Sequence, residues 1–394
     1  MKYICLAALS VLLVSNVNAQ SYKKIHNKAI LADTHNDILT ACFEDKHSFD
    51  QNLKGKTHSD VKRFKEGGVD VQVFSIWCDG NKVHPYSYAN EQIDTLLATA
   101  ARSTKQVQIV KTPEELFKAI RKKKIASMMG VEGGHMIEND LSKLDALYNR
   151  GVRYMTLTWN NSTSWATSAM YEASPSPSVG GEQRRKGLSD FGKQIVRRMN
   201  KLGMMVDISH VGEQTFWDAI NTTTKPVIAS HSSVYTICPV FRNLKDDQIK
   251  AIGKNNGVIF LNFYSGFLDS GFMRRSQIFN QAHKTERDSI LKINPEQYFA
   301  DEYLFEKYKD EVQALRPPLS LLIDHLDYIV KLVGVNHVGM GSDFDGISST
   351  PKELDDVTNY PLVTKELLER GYSTKDIQKI LGGNFIRVFK ANAR

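Results

Sequence analysis

Eight short apolar runs punctuate this chain, and most are near-continuously apolar instead of alternating with polar residues. They occupy residues 29–33, 69–77, 125–131, 154–159, 204–208, 226–230, 258–263 and 337–341. An alternating strand has one wet face. A strand without alternation is covered on both faces, as in parallel sheets packed under helices. Segments with a single apolar face lie between the runs, at 90–101, 113–123, 140–150, 190–202, 213–221, 246–254 and 319–332, and one at 374–389 closes the chain. Several carry helix end signals. Ser189-Asp190 opens one, Thr112-Pro113-Glu114-Glu115 opens another, and Gly151, Gly203 and Gly334 sit just past helix ends. Eight strands alternating with helices over 394 residues predict a (β/α)8 barrel of the TIM type. The rival is an open doubly wound sheet. No GxGxxG follows the first run and no P-loop is present, which counts against a nucleotide-binding version of it.

Two stretches break the alternation. Residues 162–187 are rich in Ser, Pro and Gly and are predicted to form a long loop over one face. Residues 265–316 mix Tyr and Phe with charges and read as an inserted helical excursion. Long excursions at one face of a barrel commonly build the wall of its site.

The first residues are a separate matter. Lys2 precedes an apolar stretch at 4–14, and Val17-Asn18-Ala19 is a small-residue cleavage pattern before Gln20. Residues 1–19 are therefore expected to be a secretory signal peptide, too short for a stable membrane span, and 20–394 a single barrel domain. Export to the periplasm or outside of a bacterium follows. Loss of Lys2 would lower the formal charge of +7 by one, and loss of Cys5 would leave Cys42, Cys78 and Cys238. An odd, scattered set is no disulfide framework, and no CxxC supports a thiolate metal site. The basic balance does not imply nucleic acid. Its dense run, Arg121-Lys122-Lys123-Lys124, lacks the interleaved aromatics of a stacking platform and reads as a solvated helix end.

Five of the eight runs end on metal-ligand side chains. The segments are Asp33-Thr34-His35-Asn36-Asp37, Gly130-Val131-Glu132-Gly133-Gly134, Asp207-Ile208-Ser209-His210, Ala229-Ser230-His231-Ser232 and Gly341-Ser342-Asp343-Phe344-Asp345-Gly346. Taken singly, each has a plain reading: a polar loop, a helix cap, a hydrogen-bonded rim histidine. Taken together, closure of the barrel would bring them to one rim, the C-terminal one, where barrel sites lie. His35 and Asp37, two apart on an extended segment, would point the same way. Glu132 directly after a buried strand is costly unless paired or bound to a metal. Asp207 is expected to orient a ligand, Asp343 to point inward, Asp345 to support its own turn, and His135 to stay behind the ligands or in the loop. Imidazoles and carboxylates without thiolate suit zinc, with manganese, cobalt or iron as alternatives.

With these motifs the chain resembles the membrane (renal) dipeptidase family of metallopeptidases, within the amidohydrolase-type barrels. The resemblance spans nearly the whole mature chain and includes Ser230-His231-Ser232-Ser233 with Arg242-Asn243. It implies two zinc ions, with His35 and Asp37 on one, His210 and His231 on the other, and Glu132 bridging. It also implies Arg242 on the substrate's terminal carboxylate, Asp343 as proton carrier and a hydroxide shared by ions about 3.5–4 Å apart. A homodimer is implied as well. The expected activity is hydrolysis of dipeptides with a free C-terminal carboxylate, D-residues at that position included. The sequence departs from the family after the fourth run. In Thr156-Leu157-Thr158-Trp159-Asn160-Asn161, Trp159 stands where the resemblance implies a His in vertebrate members that helps bind substrate and stabilise the transition state. Trp159 and Asn160 are therefore candidate substrate contacts. The alternatives are a dinuclear hydrolase acting on lactams, cyclic amides or esters, and a metal-binding protein without turnover. The family's disulfide partners are missing opposite Cys78 and Cys238, near Asn161 and Ser270.

Overall fold

A computed structural model describes residues 22–174, 186–294 and 297–394. The expected signal peptide at 1–19 lies outside the described residues, as do residues 175–185 of the expected loop. Nine strands appear among the described residues: β1 (Leu31–Asp33), β2 (Val69–Trp77), β3 (Val107–Ile109), β4 (Ile125–Glu132), β5 (Val152–Thr156), β6 (Met205–Asp207), β7 (Ile228–Ala229), β8 (Val258–Leu261) and β9 (Val338–Met340). All pairings between them are parallel. Eight close a ring in the order β1-β2-β4-β5-β6-β7-β8-β9, because β2 also pairs with β4. This is the (β/α)8 barrel expected from the apolar runs. The ninth strand, β3, was not anticipated. It pairs only with the first residues of β4, Val107 against Ile125, and its Val-Gln-Ile is too short and mixed to stand out as a run.

The missing alternation has its cause here. Along β2, Val71 and Val73 join one apolar cluster and Phe74 and Ile76 join another, so both faces of the strand are buried. The cluster with Val71 and Val73 takes in Met128, Phe260 and Phe385. The last of these comes from the final helix, Asn384–Asn392.

The 374–389 segment is not one regular helix. It runs as Thr374–Gln378, a wide π turn at Lys379–Gly383, and then Asn384–Asn392. The 265–316 excursion is helical, with Phe272–Ala282, Lys284–Ile293, Gln297–Lys307 and Lys309–Leu315. It has a core of its own, in which Phe272, Phe279, Leu304, Phe305 and Val312 pack together.

Candidate metal centre

Each strand end delivers its ligand for a local reason. Beyond β1 and β9 the backbone stays paired. Asp343 N donates to His35 O at 3.1 Å and Asp37 N to Phe344 O at 2.9 Å. That pairing sets Asp37 and Asp343 side by side. Gly346 completes the approach, since a Cβ there would stand 2.4 Å from Asp37 Oδ2 and 2.8 Å from Asp343 Oδ1. His210 and Asp343 both take left-handed backbone conformations, with φ of 63° and 64°. Such conformations cost a non-glycine residue energy and gather at functional sites.

The five expected ligands meet. His35 Nε2 lies 3.3 Å from Glu132 Oε2, 3.4 Å from Asp37 Oδ2 and 3.8 Å from Asp343 Oδ1. Glu132 Oε1 lies 2.9 Å from His210 Nε2 and 3.3 Å from His231 Nε2. Each oxygen of Glu132 thus faces a different set of imidazoles. His210 Nε2 and His231 Nε2 approach to 2.9 Å. All five side chains are buried or nearly so.

Behind the rings, the hydrogen bonds select one tautomer. Tyr154 donates its hydroxyl proton to Thr34 O, so the same oxygen accepts from His35 Nδ1 at 2.8 Å. Ser230 donates to Asp207 Oδ2 at 2.6 Å and accepts from His231 Nδ1 at 2.7 Å. Asn160 Oδ1 accepts from His210 Nδ1 at 3.0 Å. With every Nδ1 carrying its proton outward, the three Nε2 atoms present lone pairs inward, beside Glu132. Facing lone pairs at such distances repel unless a cation lies among them. His35 Nε2 and Asp37 Oδ1 have no hydrogen-bond partner although both atoms are buried. Two buried carboxylates, Asp37 and Glu132, and the half-buried Asp343 share the cluster with one buried guanidinium, Arg242. Such a deficit of positive charge is not left uncompensated in an interior. The residues therefore fit metal ions, and two overlapping donor groups are present: His35, Glu132 and His231, and His35, Asp37 and Asp343.

The electrostatics agree. Burial pushes His210 down to about 4, and the Arg242 guanidinium adds to it. Burial and the neighbouring His35 hold His231 well below the usual imidazole range. Burial also works against the charged form of Glu132, but the three imidazoles outweigh it and hold the carboxyl well below its ordinary value. His35 goes the other way. Burial disfavours its imidazolium, yet Tyr154, Glu132 and Asp37 together favour it more. A positive charge is wanted at that point, and a proton and a metal ion compete for it. Asp343 is pushed well above the carboxylate range by burial and by Asp37 and Glu132, with His35 opposing. Its Oδ2 accepts from Asn262 Nδ2 at 2.8 Å.

Other expected residues take supporting places. Asp207 orients His231 through Ser230, and accepts Ser209 N and Ser230 N as well. Asp345 accepts from His58 N at 2.5 Å and from the Ser59 hydroxyl, holding its own turn. His135 stays off the ligands, with Nε2 3.2 Å from Cys78 O. Cys42, Cys78 and Cys238 are free and buried. Arg242 is buried, donating to His231 O at 3.1 Å over the Phe267 ring, with its Nε unpartnered. Trp159 lines the same cavity as Glu132, Arg242 and Asp343, edge-to-face with Trp77 at 5.1 Å. Tyr154, Asn262, Trp77 and Asp33 were not singled out from the sequence. Tyr154 offered a signal, a hydroxyl within a buried run. It crosses to His35 only because the neighbouring position on β4 is Gly130, where a Cβ would lie 2.0 Å from its ring.

A parallel (β/α)8 barrel with a buried imidazole–carboxylate cluster at its C-terminal rim is that of a metal-dependent hydrolase. The family description "Membrane dipeptidase (Peptidase family M19)" matches residues 19–394, and the chain belongs to that family: it is a metallo-dipeptidase. An uncharacterised dipeptidase of Schizosaccharomyces pombe is 32% identical over 391 residues, spanning 94% of this chain and 82% of the yeast protein. Two crystal structures share the fold. The probable dipeptidase PvdM of Pseudomonas aeruginosa superposes with a TM-score of 0.75 at 24% identity, over 96% of this chain and 98% of that one. A Rhodobacter sphaeroides metallopeptidase, liganded with a phosphinate mimic of the dipeptide L-Ala-D-Ala, superposes with a TM-score of 0.73 at 22% identity, over 93% and 100%.

Proposed function

We propose that this chain is an exported dinuclear zinc dipeptidase that hydrolyses dipeptides with a free C-terminal carboxylate and accepts a D-residue there. The observation that carries the reading is Glu132, whose two oxygens face two separate sets of ligands. On this reading His35 and Asp37 hold one ion, His210 and His231 the other, and Glu132 both. Bound divalent ions would supply Lewis acidity and a lowered pKa for the attacking water.

The chain's own residues do the rest. Asp343 takes the proton of the attacking water and passes it to the leaving amine, a role suited to a carboxyl whose pKa burial has raised. Asn262 holds its other oxygen. Arg242 binds the terminal carboxylate with two parallel hydrogen bonds, and its unpartnered Nε is free to make one of them. In the closed ring β2 lies opposite β7. Trp77 at the end of β2 therefore stands across the rim from Arg242, which is tied to the end of β7. A dipeptide anchored at Arg242 would lay its amino-terminal residue toward Trp77 and Trp159. The phosphinate dipeptide mimic on the Rhodobacter protein supports a substrate of that size and stereochemistry.

The test is amino-acid release from a dipeptide panel that includes L-Ala-D-Ala, with chelator treatment and zinc add-back. Absence of turnover on every dipeptide by zinc-loaded protein would remove the peptidase specificity. Trp159 favours one second reading, a lactam or cyclic amide substrate lying flat on the indole, which the same assay on small lactams separates. Fractionation of the native host, with a mature chain starting at Gln20, checks export.

A further inference from the structure

The three imidazoles are not backed alike. Tyr154 and Ser230 have each committed their own proton elsewhere, to Thr34 O and to Asp207, so toward a histidine they can only accept. His210 is backed instead by a side-chain amide, which offers a carbonyl on one edge and a donor on the other. Only the carbonyl edge leaves His210 Nε2 with a lone pair. The loop carrying Asn160 also grips the His210 backbone in its left-handed conformation. Thr158 Oγ1 donates to His210 O at 3.1 Å, and Ala169 N donates to the same oxygen at 2.8 Å. Ser168 Oγ in turn donates to Asn160 O at 2.7 Å.

We infer that Asn160 is the positioning residue of the second ion: its carbonyl holds His210 in the Nδ1–H tautomer and so sets how tightly the ion between His210 and His231 is retained. The inference rests on the dinuclear reading above and goes beyond it. It places Asn160 behind a ligand and makes the loop after β5 a control on metal retention. His35 and Asp37 make their hydrogen bonds and close polar contacts outside this loop, so an ion held there would stay unaffected.

The experiment is zinc affinity by chelator competition, site by site, on the full chain and on Asn160→Ala and Asn160→Asp. In N160A one of the two ions binds about 10–100-fold more weakly, as when an outer partner of a ligand is lost, and the other is unchanged. Turnover at limiting zinc falls, excess zinc restores it, and KM stays constant. N160D, which can only accept, recovers the affinity. Should N160A not fold, as judged by metal-free melting, Asn160→Ser, too short to reach Nδ1, is read the same way. Two ions held by N160A as tightly as by the unsubstituted protein would overturn the inference alone. So would an N160D that folds but binds as weakly as N160A. An unsubstituted protein that binds no second ion would overturn the dinuclear reading and this inference together.

Discussion

The two halves of the metal centre share one scaffold and differ in what they hang on it. In one half, Asp33 at the end of β1 accepts Ser342 N at 2.9 Å and Ser342 Oγ at 2.6 Å. In the other, Asp207 at the end of β6 accepts Ser230 N at 2.8 Å and Ser230 Oγ at 2.6 Å. Each Asp also accepts the backbone N–H two residues on. Each Ser stands directly before a working residue, Asp343 in the first half and His231 in the second. The same clamp therefore fastens β1 to β9 and β6 to β7. One half presents carboxylates around a single imidazole, the other two imidazoles, and Glu132 joins them. Strand-end geometry is set by the clamp, and chemistry by the next side chain.

Glu132→Gln tests the junction and should have the largest effect. It removes the charge common to both halves, so metal retention weakens in both and activity falls by at least ~10^4-fold. Metal content by mass spectrometry and kcat report it, and loss of one ion alone would show that the halves are independent. Asp343→Asn comes next. Turnover should drop ~10^2–10^4-fold, the range of a lost general acid–base group, with the metal content kept. Arg242→Met should lower kcat/KM for dipeptides by roughly 10^2-fold, the loss of a charge-assisted pair, while leaving a substrate without the carboxylate almost untouched.

The clamps themselves can be compared with Asp33→Asn and Asp207→Asn. Each should weaken metal retention in its own half about tenfold to a hundredfold and leave the other half intact. Cross-effects would deny that the clamps act locally. The smallest effect lies behind the second half. His325 accepts Val234 N on Nδ1 at 3.0 Å, just after His231, and its Nε2 faces Leu268 O at 2.9 Å. Burial pushes His325 from 6.5 down to about 4. The unfolded chain takes up a proton first as pH falls. Stability is thus complete above about pH 6.5 and is lost as pH drops toward 4, by roughly 1–2 kcal/mol by about pH 5.5. Denaturation of the protein and of His325→Gln across this window should show the stability advantage of His325 shrink by that amount as the pH falls from 6.5 to about 5.5.

Much of this was legible in the residues. Unbroken apolar runs declared strands covered on both faces, and their count with intervening helices declared the barrel. The candidate ligands that converge could be named because each lies within four residues of a run's end, and His35 and Asp37 share a face through the two-residue repeat of extended chain. These are local properties, written at short spacing. The tertiary structure decided what lies across the ring. Tyr154 reaches His35 through space left by Gly130, Asn262 meets Asp343, Asn160 turns behind His210, and Trp77 stands opposite Arg242. Those partners are 80 or more residues apart, apart from Asn160 and His210 at 50. The reason is physical: periodicity along a chain tells which way a side chain points, whereas its partner depends on barrel closure and on which neighbours are small enough to let it pass.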